Sequence, residues 1–334
     1  THFNIAIEEE GDHAWLPEAH YMLGDSYLKE TLKAQLENNP KAAAEWQNQG
    51  LATLKTTVEK FADSDWADDA ALAVIDAETA DLQPDSTRAQ TQLSAYREFQ
   101  KTYANSDRLY DAKLRTADAF LLSDDIANAM DIYRNVQTQA TDSAFKEKAT
   151  YGMGLCQARQ QQHARAEDTL RNFLFDYPQS ELAAHARFQL GRILLDRGIE
   201  ASAAEEFSDL LTAPSSLELE RSSRSLLAES FYRLNEFERA IKIDESLLRR
   251  DISPALLRRL AQSYFRNNQH DKAVTTYGLF LRRFPDATDA DSIAFTRAER
   301  LVFLNRTSEA IVAFREFSKK YANSPLRAQA DQSV

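Results

Sequence analysis

Six histidines (His2, His13, His20, His163, His185, His270), one cysteine (Cys156) and two acidic clusters are the side chains with which this chain could do covalent or metal chemistry. The histidines form no His-x-His or His-Glu-x-x-His pattern, and only His13 and His20 share a helical face. Metal ligands need tighter spacing than that, so packing or surface roles fit them better. Gly152-Met-Gly154 has no strand before it and no third glycine after it, unlike a phosphate-binding loop. Cys156 stands near it with no histidine in helical relation, which makes it a small buried hydrophobe rather than a nucleophile. A lone cysteine also excludes an internal disulfide. Ser26-Tyr-Leu-Lys29 matches a Ser-x-x-Lys acylation motif, but its companion motifs are missing. Glu8-Glu-Glu10 and Asp63-Ser-Asp65-Trp-Ala-Asp68-Asp69 lack the glycine and loop pattern of a calcium site. Acids at a helix start, favoured by the macrodipole, explain them sufficiently. No catalytic, metal or cofactor site is expected.

The elements that would position such groups are helices. Gly and Pro number only eight each in 334 residues, which disfavours sandwiches, barrels and glycine-rich nucleotide folds. Hydrophobic residues make up 43% and charged residues 28%, with no apolar run long enough for direct membrane insertion. Net charge is −12, and residues 1–100 carry 19 acidic against 7 basic side chains. Residues 221–283 reverse the sign, with 13 basic against 7 acidic. An acidic chain repels phosphates, so no nucleic-acid partner is expected. Thr1 and the short stretch after Ser324-Pro325 read as cut ends of a longer protein, with the targeting signal, if any, outside them.

A repeat runs through the chain. An aromatic–small–polar–small tetrad recurs as Phe61-Ala-Asp-Ser64, Tyr103-Ala-Asn-Ser106, Tyr177-Pro-Gln-Ser180, Phe284-Pro-Asp-Ala287 and Tyr321-Ala-Asn-Ser324. A second marker, Ala followed four residues later by an aromatic or Leu, falls at Ala129/Tyr133, Ala166/Leu170, Ala203/Phe207, Ala273/Tyr277 and Ala310/Phe314. Ala240 keeps the alanine without the aromatic. Each unit divides into two amphipathic helices, as Leu256, Leu257, Leu260, Tyr264 and then Val274, Tyr277, Leu281 show. Such a hairpin cannot bury its apolar stripe alone and must stack on neighbours.

The pattern resembles the tetratricopeptide repeat family. Residues 254–287 match its 34-residue unit with Leu260, Ala261, Tyr264, Ala273, Tyr277 and Pro285, and the unit near Ala184 matches with Leu190, Gly191, Ala203 and Phe207. Gly24 and Tyr27 fit a first unit, whereas the family's tryptophan is replaced by Arg187 and Leu257. The Tyr-Pro-x-Ser ending is similar to repeats of bacterial envelope proteins, namely the Tol-associated periplasmic coordinator and the outer-membrane assembly lipoprotein. The resemblance implies an all-α, right-handed superhelical solenoid of about eight antiparallel helix-turn-helix repeats. Residues 1–106 would form acidic N-terminal repeats with an irregular longer connection at 30–50, residues 107–323 a regular array, and residues 324–334 the start of a further, truncated repeat.

In that family the first helix of each hairpin lines the concave groove. Carried over by register, this places Tyr151, Arg159, Phe188, Arg192, Glu229, Tyr232, Arg233, Arg258, Gln262, Phe265 and Arg266 in the groove. Arginines interleaved with rings suit a protein or extended peptide with acidic groups, gripped bidentately. The expected function is therefore a non-enzymatic interaction scaffold in the periplasm or cell envelope (or, alternatively, the cytoplasm). The rival is a structural component that self-associates through its open repeat ends. The register makes its own prediction: Ala203, Ala261, Ala273 and Ala310 lie where helices cross closely. Ala273→Leu should then cost about 1–3 kcal/mol by overpacking, read from the denaturation midpoint.

Overall fold

The computed structural model describes residues 14–80, 82–83, 85–212, 215–250 and 252–334. His2, His13 and the Glu8–Glu10 cluster lie outside the described residues. Among the described residues there are seventeen helices and no strand. They fall into two compact units that meet in sequence at Ser180 and Glu181. The first unit contains α1 (Leu16–Leu36), α2 (Pro40–Lys60), α3 (Ala67–Ala80), α4 (Ser86–Thr102), α5 (Leu109–Leu122), α6 (Ile126–Gln139), α7 (Ser143–Arg159) and α8 (His163–Asp176). The second contains α9 (Ala183–Asp196), α10 (Glu200–Leu210), α11 (Leu217–Arg233), α12 (Phe237–Leu248), α13 (Pro254–Arg266), α14 (His270–Arg283), α15 (Ala290–Phe303), α16 (Thr307–Lys320) and the short α17 (Arg327–Gln332). Consecutive helices pair as antiparallel hairpins, four in each unit, with α17 following the last.

Seven of the eight hairpins share one turn geometry among the described residues, and it explains the scarcity of glycine. Asn38, Asp124, Gln161, Gly198, Asn235, Asn268 and Asn305 all sit in the left-handed region, with φ between 53° and 71°. The next residue donates its N–H back to a carbonyl five positions earlier, as Ile199 does to Leu194 at 2.8 Å and Gln269 to Tyr264 at 2.8 Å. This closes the last turn of the first helix. Asparagine tolerates the left-handed region because its short polar side chain bonds locally, so only one of the seven turns uses glycine.

The expected irregular connection at 30–50 is corrected. Only Glu37, Asn38 and Asn39 separate two 21-residue helices. Asn39 caps α2 by accepting from the Ala42 N–H at 3.2 Å. Pro40 interrupts nothing, because it occupies a first-turn position where no intrahelical N–H is needed. Helices this long displace the repeat markers, which is why the pattern looks irregular there.

The tetrads close the other end of the hairpins. In four of the five the aromatic ring packs on the ring four residues earlier: Phe99–Tyr103 at 4.9 Å, Phe173–Tyr177 at 5.5 Å, Phe280–Phe284 at 5.8 Å and Phe317–Tyr321 at 5.4 Å. The serine hydroxyl then donates to an acid early in the first helix of the same hairpin. Ser106 reaches Asp68 at 2.5 Å, Ser324 reaches Asp291 at 2.7 Å, and Ser180 reaches Glu147. Where the tetrad ends in Ala287, Arg258 of α13 binds Asp289 instead.

Small residues let the two helices of a hairpin approach. Ala117, Gly154, Gly191, Ala228, Ala261 and Ala298 on first helices, and Ala129, Ala166, Ala203, Ala240, Ala273 and Ala310 on second helices, are all buried. A Cβ at Gly154 would stand 2.8 Å from the Leu170 side chain, and one at Gly191 2.7 Å from Phe207. Of the seven turn residues, Gln161 suits the left-handed region least. Gln161→Gly should raise stability by about 0.5–1 kcal/mol, and Gly198→Ala should lower it by about 1–2 kcal/mol, both as shifts in denaturant midpoint.

Candidate partner-binding surface

Within each unit the first helices of successive hairpins come into contact, α1 with α3, α5 with α7, α9 with α11 and α11 with α13. The face built by first helices is therefore the tightly lined one. In the first unit α7 carries Tyr151 and Arg159. In the second, α9 carries Phe188 and Arg192, α11 carries Glu229, Tyr232 and Arg233, and α13 carries Arg258, Gln262, Phe265 and Arg266.

Several of the arginines are already engaged. The Arg159 guanidinium donates to the Leu121 carbonyl at the end of α5, at 2.5 Å. Arg233 does the same to Leu195 at the end of α9, at 3.2 Å, and holds Glu229 at 2.7 Å. Both join one hairpin to its neighbour, because the last carbonyls of a helix are unpaired and sit at its negative end. Arg258 places two nitrogens on one Asp289 oxygen, at 2.5 and 2.7 Å. By contrast, Arg192 lies 6.0 Å from the Phe188 ring centroid and 3.4 Å from Gln189, with no carboxylate within ion-pair distance among the described residues. Arg266 lies 5.4 Å over the Phe237 ring. Gln262 is half-buried. Tyr151 packs on Phe173 at 5.9 Å, and burial pushes its hydroxyl up to about 12.

Two features of this face escape the sequence pattern. Asp244 occupies the register where the other second helices bury Tyr133, Leu170, Phe207, Tyr277 and Phe314, and it is itself fully buried. Its carboxylate accepts from Arg259 of α13 at 2.5 and 3.0 Å, and Arg259 also lies 3.5 Å from Glu229. Burial raises the Asp244 carboxyl above its ordinary range, against the lowering pull of the guanidinium. The missing aromatic after Ala240 was the available signal. The second feature is Arg300 of α15, stacked 3.9 Å over the Phe265 ring.

The remaining chemical candidates resolve as packing. Ser26 donates to the Met22 carbonyl at 2.7 Å, and Lys29 pairs with Asp25 at 2.5 Å. Asp68 accepts from the Asp69 N–H at 2.8 Å, and Asp69 pairs with Arg108 at 2.5 Å, as charges at the start of α3. Gly152 lies inside α7 under the Tyr133 ring. Burial pushes the Cys156 thiol up to about 11, which disfavours the nucleophilic thiolate. His20 packs on Phe61 at 5.3 Å, His163 and His270 start α8 and α14, and His185 is exposed on α9. Among the described residues no group of three or more His, Cys, Asp and Glu could hold a metal ion, and no helix is long and apolar enough to cross a membrane.

Two tetratricopeptide repeat profiles match the sequence, over residues 149–217 and 255–287. Over those two stretches the chain carries tetratricopeptide repeats. Solved structures agree on the fold. The signal-transduction ATPase with numerous domains PH0952 from Pyrococcus horikoshii, which has a tetratricopeptide repeat sensor, superposes with a TM-score of 0.63 at 14% identity. That match takes in 99% of this chain and 53% of the other. The apo form of RapI gives 0.60 at 12% identity, covering 93% and 96%. The C-terminal part of a repeat protein from Cytophaga hutchinsonii gives 0.52 at 15%, covering 66% and 83%. No curated protein matches by sequence. Tetratricopeptide repeat arrays are in general protein-interaction scaffolds.

The buried Asp244–Arg259 pair makes a quantitative prediction. Asp244→Ala should cost about 3–5 kcal/mol, because it strands a buried guanidinium, whereas Asp244→Phe with Arg259→Leu should recover most of that loss. Thermal and denaturant melts of the single and double variants check it.

Proposed function

We propose that this chain is a non-enzymatic scaffold that binds an extended, acidic segment of a partner protein along the first-helix face of its second unit. The observation that carries this reading is the division among its arginines. Arg233 and Arg258 hold internal carboxylates, whereas Arg192 and Arg266 rest on rings with no carboxylate within ion-pair distance among the described residues. A guanidinium stacked on a ring keeps its N–H fork available for a carboxylate. Tyr232 and Phe265 add half-buried ring surface beside them. A preordered surface of this kind binds without the cost of ordering itself.

The Tyr177-Pro-Gln-Ser180 ending, similar to repeats of bacterial envelope proteins, supports a place in the cell envelope. Subcellular fractionation of the native source tests that placement, and recovery in the cytoplasm would overturn it.

Arg192→Glu with Arg266→Glu should abolish cross-linking of a native partner to the first-helix face of the second unit while leaving helicity unchanged. Complex formation should weaken as salt shortens the Debye length from about 10 Å at 0.1 M to about 3 Å at 1 M. Undiminished binding by the double variant would move the site elsewhere. Growth in mass with concentration, in the absence of any partner, would favour the self-assembling alternative.

A further inference from the structure

The turns of the second unit bring rings and guanidiniums from three consecutive hairpins into one strip. At the α11–α12 turn Tyr232 meets Phe237 edge-on, with ring centroids 5.8 Å apart. Arg266, from the end of α13, lies 5.4 Å over Phe237 and so bridges to the next hairpin. Its neighbour Phe265 packs on His270 at 4.9 Å. Phe303, at the end of α15, closes on both, 5.6 Å from Phe265 and 4.8 Å from His270. Arg300 covers Phe265 at 3.9 Å.

Three properties set this strip apart from ordinary packing. Phe303 is 57% exposed and the adjacent Val302 52%, although the Phe303 ring belongs to a cluster with Phe265 and His270. The Arg300 Nε is buried without a hydrogen-bond partner. Arg266 and Arg300 also have no carboxylate within ion-pair distance among the described residues. Asp271, next to His270 in sequence, and Glu309 are both engaged with Arg306. A stacked guanidinium spends its face on the ring and presents its N–H edge outward, where a carboxylate completes it. The exposed ring and valine beside it need an apolar cover.

We infer that this strip is a docking ridge for an extended peptide in which acidic residues flank an aromatic side chain. The inference rests on the first-helix face being the partner-binding surface, and it narrows the ligand class and shifts its centre to Arg266, Arg300 and Phe303. Charge complementarity selects the occupant: two uncompensated cations ask for carboxylates, and Phe303 asks for an aromatic or large apolar side chain. A nucleic acid fits less well, because base stacking needs a ring with an open face. The Phe265 ring is covered by Arg300 and offers no free face for a base.

Fluorescence polarisation with the whole chain tests this with four labelled probes: an alternating Asp–Phe peptide, the same peptide with Ala for Phe, an alternating Lys–Phe peptide, and single-stranded oligo-dT. The Asp–Phe peptide should bind about tenfold more tightly than the Asp–Ala peptide, and Phe303→Ser should erase that difference. Arg300→Gln should weaken it by a similar factor, with Arg300→Lys recovering only part. Phe303 is exposed enough that its serine variant should melt as the parent does. Equal binding of the two acidic peptides, or binding unchanged by Phe303→Ser, overturns the ridge. Tighter binding of Lys–Phe or oligo-dT does so too, pointing to a basic partner or a nucleic acid. If Arg192→Glu weakens capture of a native partner while Phe303→Ser does not, the scaffold reading stands and the ridge alone falls. If neither variant weakens it, both fall.

Discussion

Two helices joined by a three-residue turn can bury only the stripe between them, and how closely they approach decides everything built on that contact. In this protein the crossing points are alanines and glycines on both helices, backed by rings such as Tyr133, Phe207 and Tyr277. Backbone-to-backbone approach of this kind leaves no spare volume, so every hairpin inherits nearly the same geometry. The left-handed turn residue and the tetrad clasp then fix the two ends of the hairpin. With the hairpins made alike, the arrangement of their outward side chains becomes a matter of register.

Register alone does not say which side chains are available. Arg159 and Arg233 stand two periods apart, and each seals the carbonyl end of the preceding first helix. A solenoid contacts itself only through neighbours, so interactions between hairpins carry much of its cohesion. These arginines therefore belong to the joints of the array. The guanidiniums left for a ligand are those that rest on rings, where their charge is unspent.

The Asp244–Arg259 pair shows a repeat departing from its own rule. A buried ion pair does not out-stabilise a well-packed ring, since desolvation offsets most of the attraction. It does confine the Arg259 guanidinium between α12 and α13 and aims it toward Glu229, which in turn holds Arg233. A polar relay thus runs from the core of one hairpin to the joint of another, directly beneath the face assigned to the partner.

Much of this protein was legible in the residues alone. Helical periodicity, the recurrent alanines and the aromatic tetrads determine an all-α array of about eight hairpins, because those signals are local and repeat. The small residues Ala203, Ala261, Ala273 and Ala310 are buried as their register requires. The stretch 30–50 looked irregular because two 21-residue helices displace the repeat markers there. The tertiary structure decided what the rest does. Whether an arginine caps a carbonyl 38 residues away, as Arg159 and Arg233 do, or stacks on a ring, as Arg266 and Arg300 do, depends on neighbouring hairpins that no local pattern encodes. Helix-forming signals act within a few residues, whereas the partner of a long charged side chain is set by whichever group the packed array brings within its reach.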